Sequence, residues 1–453
     1  MRLSRYGKAS TRPSPVNRMM SAFACGFRDG VDINLGVGYV NERTIPVEAI
    51  REAMAAVADD PSRYRQAFNY GGPEGSPNLV ASLRRFLSRM RIGGLDEATI
   101  ARNRLIVGPC GATSMLDALA EVLQPGIVVT SDPSYYIYSD ALERKGFEIL
   151  AVPEDDEGIE IQALGRKLQA LGERAGEIAF FYAVTVNNPS CTVLSNRRRL
   201  ELLRVATELS RRQGRPIPIF FDLAYELLLH DPACEPFASV LPEDEAGIAY
   251  EIGTLSKVFA PALRIGYLLG PDGPLMNAMV QKTSDTGFSA PLFVQEMAGY
   301  LLDEAIADQL RRVNAGYREK ALAVGEAIRR NLGPLLTGCR GGSAGFYYYL
   351  TFERLETHPA SDFFRYLTRT TGDARIDSCG DGLQPRVIYV PGEYCVHHSG
   401  DLAALGKRQL RLSYGFEEVP QIVRALAIMR QAADYALERQ GAGVAAAVDK
   451  ALV

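Results

Sequence analysis

Through the middle of the chain, short apolar runs rich in β-branched and aromatic residues alternate with stretches of helical period. The runs occupy 105–107, 127–130, 147–152, 178–184, 217–221, 248–252 and 265–269. Between them, sets such as Leu202, Val205, Ala206 and Leu209 put apolar residues on one face at 3.6-residue spacing. Continuous apolar strands alternating with helices predict an α/β fold, a mainly parallel seven-stranded sheet covered on both faces. Upstream, 47–57 reads as an amphipathic helix after an extended run at 33–40. A second helix follows the turn-forming cluster 69–75 through Leu79, Leu83, Phe86 and Leu87. From Pro291 to about Asn331 the pattern is almost continuously helical, long enough to cross between domains. Beyond it, strand-like runs at 341–350, 387–392 and 409–414 interleave with helices and predict a smaller α+β domain. The expected partition is an N-terminal arm and part of the small domain at 1–64, a large domain at 65–320, and the C-terminal small domain at 321–453. The alanine-rich end, 441–453, reads as a frayed tail.

Composition narrows the function classes. At 453 residues there is room for two or three domains, and 47% hydrophobic with 23% charged residues is ordinary for a soluble globular protein. A net charge of -4, from 50 basic and 54 acidic residues, leaves no polyanion-binding footprint, so no nucleic-acid partner is expected. No apolar run approaches the roughly 18 residues of a membrane span, so no membrane partner is expected. Seven scattered cysteines without a CxxC pair argue against a disulfide framework or zinc site and suit a reducing, cytoplasmic location. Of four histidines, His397 and His398 are adjacent but lack a partner at ligand spacing; they read as a loop pair, and no metal is expected. The first 28 residues are basic and acid-free, yet Pro13 and Pro15 interrupt them and no apolar core follows. They read as an arm packed on the protein rather than a transit peptide.

The unusual residues cluster where the predicted strands end, which is where parallel sheets hold ligands. After 105–107 comes Gly108-Pro109-Cys110-Gly111-Ala112-Thr113-Ser114, small residues opening a helix, suited to a phosphate or to simple capping. After 127–130 comes Asp132-Pro133-Ser134-Tyr135-Tyr136, with aromatic faces for a core or a stacking platform. After 178–184 comes Asn187-Asn188-Pro189, and after 217–221 Asp222-Leu223-Ala224-Tyr225, where a carboxylate closing so apolar a run needs a cationic or hydrogen-bonding partner. After 248–252 comes Thr254-Leu255-Ser256-Lys257, with Arg264 seven residues beyond the lysine. A lysine desolvated in an apolar loop offers a neutral amine to a carbonyl, and a nearby arginine suits a phosphate dianion.

In this order, the motifs resemble the fold-type I pyridoxal 5'-phosphate (PLP) enzymes, specifically the class I/II aminotransferases and their aminoadipate-type branch. The resemblance runs from about Ile33 to Tyr414. It implies that Lys257 carries PLP as an internal aldimine and serves as acid and base, that Asp222 pairs with the pyridine nitrogen, and that Asn188 and Tyr225 bond the ring's phenolic oxygen. It further implies that Tyr135 stacks on the ring, and that Gly111, Ala112, Thr113, Thr254 and Arg264 hold the phosphate. Tyr70 would reach the cofactor of the partner subunit in a homodimer, Arg411 would clamp the substrate α-carboxylate, and Gly38 would line the substrate site. The implied reaction moves an amino group between an L-amino acid and a 2-oxo acid. Other PLP chemistry at Cα or Cβ, or a non-catalytic sensor of PLP or amino acids, shares these residues. The Pro261 form of the lysine loop also resembles aminotransferase-like domains of bacterial regulators, although the roughly 30 residues before Ile33 leave no room for a winged-helix domain. Cys191, Ala262 and Cys395 depart from the family pattern near the site. Arg63 and Arg65, ahead of Tyr70, read as solvated.

Overall fold

The structure is a computed structural model that describes residues 1–377 and 384–451; Cys379 lies outside them, as does the end of the expected tail, 452–453. After a short strand β1 (Ile33–Asn34), eight strands share one sheet: β2 (Asn103–Val107), β3 (Ile127–Asp132), β4 (Glu148–Asp155), β5 (Gly158–Ile159), β6 (Ile178–Val184), β7 (Ile219–Asp222), β8 (Ala249–Thr254) and β9 (Gly266–Pro271). Their order is β2-β9-β8-β7-β6-β3-β4-β5. The central strands β8, β7, β6, β3 and β4 are parallel, whereas β9 runs antiparallel to both of its neighbours. Every residue of β3, β7 and β8 is buried, which is why these runs carry no alternation of polar positions. The eighth strand, β5, was not expected: two residues folded back on β4 are too short to leave a run in the sequence.

A second sheet is built from β10 (Leu336–Gly341), β11 (Tyr347–Phe352), β13 (Val390–Pro391) and β14 (Gln409–Ser413), in the order β10-β11-β14-β13, all antiparallel. The intervening β12 (Val387–Ile388) instead pairs with β1, so the expected single run 387–392 is divided between two sheets. The switch falls at Tyr389, whose buried ring packs on Phe363 and Phe364. The long helical stretch likewise breaks once, at Ala305, into Leu292–Glu304 and Ile306–Leu332. At the far end the helix Val419–Ala451 continues through the segment expected to fray.

The β1–β12 pairing draws the N-terminal segment across the molecule, and Asp32 fixes it by ion pairs to Arg28 at 2.5 Å and Arg386 at 2.9 Å. Ahead of it, the helix Pro15–Ala24 buries Val16 and Phe23, with Val16 in a cluster with Tyr136, Tyr349 and Cys395. Within this segment it is Val16 and Phe23 that pack against the protein. Among the described residues no helix is long and apolar enough to cross a membrane.

Candidate active site

The carboxyl ends of β3, β6, β7 and β8 open toward one side of the sheet, and there the chain encloses a cavity of about 340 Å³. Of the expected site residues, Gly38, Ala112, Thr113, Tyr135, Asn188, Asp222, Tyr225, Thr254, Lys257, Arg264 and Arg411 line it. Gly111 sits behind this lining, and Tyr70 lies outside it, 81% exposed and near Phe288.

Lys257 follows β8 in a turn of buried residues, with its Nζ donating to the Gly38 carbonyl at 3.0 Å. Burial, reinforced by the positive charges of Arg411 and Arg264, lowers its ammonium to about 8, against a small opposing pull from Asp222. Asp222 ends β7 fully inside the protein. It accepts from the Tyr182 hydroxyl at 2.7 Å and the Ala224 N–H at 3.0 Å, and burial raises its carboxyl above the usual range. Among the described residues no lysine or arginine forms an ion pair with it. A carboxylate so placed calls for a cation from elsewhere.

Arg411, on β14 and only 2% exposed, reaches the cavity from the second sheet. Its guanidinium donates to Asn188 Oδ1 at 2.8 Å and to the Gly36 carbonyl, and stacks on the Tyr347 ring at 4.3 Å. Among the described residues its buried Nε has no hydrogen-bond partner. Because Asn188 Oδ1 accepts from Arg411, the amide of Asn188 is turned with its NH₂ available as donor. Tyr225 and Tyr347 share a hydroxyl–hydroxyl bond of 2.8 Å. A Cβ at Gly38 would stand 2.8 Å from the Tyr347 oxygen, so a larger residue there would have to displace that hydroxyl.

An anion cradle closes the other end. The helix Gly111–Val122 starts without a side-chain cap, leaving first-turn N–H groups at Ala112 and Thr113 on the cavity wall. Arg264 lies alongside, with its guanidinium donating to the carbonyls of Cys110 and Pro261, both at 3.1 Å. Gly266 lets β9 come this close: a Cβ there would fall 2.3 Å from the Ala112 nitrogen. Thr254 occupies its hydroxyl on the Ile265 carbonyl at 2.8 Å, with Ser256 Oγ 2.9 Å away, so Ser256 has the freer proton of the pair.

Tyr182, Ser256 and Tyr347 were assigned no role from the sequence, and Tyr136, one of the aromatic faces noted there, stands in the wall beside Tyr135. A tyrosine inside the apolar run 178–184 needs a hydroxyl partner, and that signal pointed to Tyr182. Of the departures from the family pattern, Cys191 is buried with φ of 52°, the conformation glycine would adopt more easily, while Cys395 is buried beside Pro391. Arg63 and Arg65 are exposed, as expected.

A family model described as aminotransferase class I and II matches residues 31–391. An uncharacterized HTH-type transcriptional regulator of Bacillus subtilis (strain 168) is 25% identical over 74% of this chain and 65% of its own. An aromatic-amino-acid aminotransferase of Thermococcus litoralis is 28% identical over 52% of this chain and 54% of its own. The chain thus spans between about half and two thirds of the length of these two relatives. Among solved structures, a multiple substrate aminotransferase from Thermococcus profundus superposes with a TM-score of 0.80 at 21% identity, covering 96% of this chain and 98% of that one. With the family model spanning most of its length, the chain belongs to the class I and II aminotransferases.

Proposed function

We propose that this protein is a PLP-dependent aminotransferase that moves an amino group between an L-amino acid and a 2-oxo acid. The observation that carries the reading is the convergence on one cavity of a depressed lysine, a buried carboxylate without a basic partner and a buried arginine with an unpartnered Nε. Each matches a part of PLP or of an amino acid. The uncapped helix start and Arg264 suit the phosphate, Asp222 suits a protonated ring nitrogen, and Arg411 suits a carboxylate.

When bound, PLP supplies an electron sink for negative charge at the substrate Cα. The residues do the rest. Lys257, its ammonium lowered to about 8, would offer the amine that holds the cofactor and the Nζ that takes the substrate Cα proton. Asp222, oriented by Tyr182 and the Ala224 N–H, keeps a proton on the ring nitrogen. Asn188 and Tyr225 would donate to the phenolic oxygen, and with Tyr347 as donor in their shared hydroxyl bond the Tyr225 proton would be free for this contact. Tyr135 covers one ring face. Ala112, Thr113, Ser256 and Arg264 anchor the phosphate, and Arg411 with Asn188 and Gly38 orients the substrate carboxylate.

The test is a half-reaction screen in which the loaded protein is mixed with single amino acids and spectra are followed. Conversion to pyridoxamine phosphate with release of the 2-oxo acid is expected. Ammonia release without pyridoxamine formation would assign elimination instead, and binding without turnover across a broad donor panel would assign a sensor. Two further outcomes follow from the geometry. Cofactor uptake by the PLP-free protein should quicken with pH and level off above about 8, as Lys257 loses its proton; a rate flat from pH 6 to 9 would contradict the lysine's role. Replacing Arg411 with lysine should lower kcat/KM by about 10²-fold or more, mostly through KM, because a single ammonium cannot form the two-point clamp. An unchanged KM would remove Arg411 from substrate binding.

The exposed Tyr70, set apart from the cavity of its own chain, supports a homodimer in which it reaches the partner's cofactor; an active monomer by light scattering would contradict this. The six described cysteines, all unpaired, support a cytoplasmic location. The eight-stranded and four-stranded sheets, which share no strand, support a large domain at 65–320, with 1–64 and 321–453 making the arm and small domain.

A further inference from the structure

Away from the cavity, the fold joins three potential ligands that the sequence holds 254 positions apart. Glu143 lies near the end of the helix Tyr136–Lys145, and His397 and His398 lie on the loop after Cys395. His397 Nε2 stands 3.2 Å from Glu143 Oε1, His398 Nδ1 stands 3.9 Å from the same oxygen, and the three ligand atoms all lie within 4.8 Å of one another. Atoms bound at about 2.1 Å around a tetrahedral zinc are separated by about 3.4 Å. The member that would turn to close the set is His398, whose side chain is 75% exposed and lies against the His397 ring at 4.5 Å.

The surroundings hold the other two in place. Ser399 Oγ lies 3.2 Å from His397 Nδ1. With the Nδ1 proton donated there, Nε2 presents a lone pair toward the Glu143 carboxylate, the second-sphere arrangement that orients a metal-bound imidazole. The His397 N–H is pinned to Asp132 Oδ1 at 3.0 Å, and the Ser134 N–H to the Cys395 carbonyl at 2.9 Å. An ion pair of 2.7 Å between Lys167 and Asp401 holds the far side of the loop. The loop is thus fixed by its backbone to the segment between β3 and Tyr135, while its two imidazoles meet the carboxylate of the helix that Tyr136 begins.

We propose that Glu143, His397 and His398 form a binding site for a divalent transition metal of the zinc type. Two imidazoles and one carboxylate are a donor set suited to Zn²⁺, Co²⁺, Ni²⁺ or Cu²⁺ rather than to Mg²⁺ or Ca²⁺. None of the three residues lines the cavity, so the metal fastens the loop after Pro391-Gly392 to the helix carrying Tyr136 and takes no part in amino transfer.

The test uses the PLP-loaded protein, stripped of metal by chelation and titrated with CoCl₂ while visible d–d absorption is followed, and with ZnCl₂ in a calorimeter. One equivalent is expected to bind and to raise the melting temperature. The doubly substituted E143Q/H398A protein should lose both effects while keeping its amino-transfer activity, and Ser399→Ala should weaken binding about 10-fold through misorientation of His397. Failure of the unmodified protein to bind one equivalent, or equal binding by E143Q/H398A, would reduce the cluster to an ion pair only and overturn the proposal. Because the readout is metal binding, it stands or falls separately from the aminotransferase reading.

Discussion

A Lys257→Ala protein should fold and yet lose turnover by at least about 10⁴-fold, the combined loss of the covalent anchor and the acid–base group. The substitution removes one hydrogen bond, to the Gly38 carbonyl, and relieves the desolvation of a charged group. Stability should therefore hold or rise, and a melting curve beside a steady-state assay separates lost chemistry from lost fold. PLP should still bind through the cradle of Ala112, Thr113 and Arg264, with the absorbance of free aldehyde rather than of the lysine-bound form. Full turnover in this protein would end the case for Lys257 and, with it, for the proposed reaction.

Asp222→Asn should cost about 10² to 10³ in kcat, the scale on which a single preorganised electrostatic contact acts. The change is nearly isosteric: the amide oxygen still accepts from the Ala224 N–H, and the amide NH₂ can meet the Tyr182 oxygen. What disappears is the negative charge that holds a proton on the ring nitrogen. The loss should fall on kcat with KM little changed, because no substrate contact is removed. An asparagine protein as fast as the original would show that the ring nitrogen needs no charged partner here.

Much of this site was legible because its residues close apolar runs. Asp222 and Lys257 stand at or just past the ends of β7 and β8, and the periodicity that reveals a buried parallel strand also reveals where its ligand-binding loop begins. Arg411 was legible through family resemblance, and β11, β13 and β14 explain its placement, since they bring it back to Asn188 over 223 positions. The rest depended on register and on contacts the sequence does not encode locally. Tyr347 looked like any strand tyrosine until β11 paired with β14 and set its ring beneath Arg411. Glu143 carries no local signal at all, because its neighbour His397 reaches it only through the loop docked on Asp132. β5 escaped notice as a two-residue strand, and β10, which exposes alternate residues around two glycines, lacks the apolar run that marks a strand.

The segment from Gly36 to Tyr39 bridges the two cations of the cavity. It is tied at one end by Arg411 on the Gly36 carbonyl and near the other by Lys257 on the Gly38 carbonyl. Both ties are made by the cations that incoming molecules would claim. On the proposed function, cofactor and substrate would share this element, and release of one end by either should lower the cost of releasing the other. The expected result is positive heterotropic coupling, reciprocal by linkage, carried by the four residues from Gly36 to Tyr39. Amide exchange at Val37, Gly38 and Tyr39 should accelerate when PLP is loaded and again when a 2-oxo acid is added; exchange unmoved by either would uncouple the two sites.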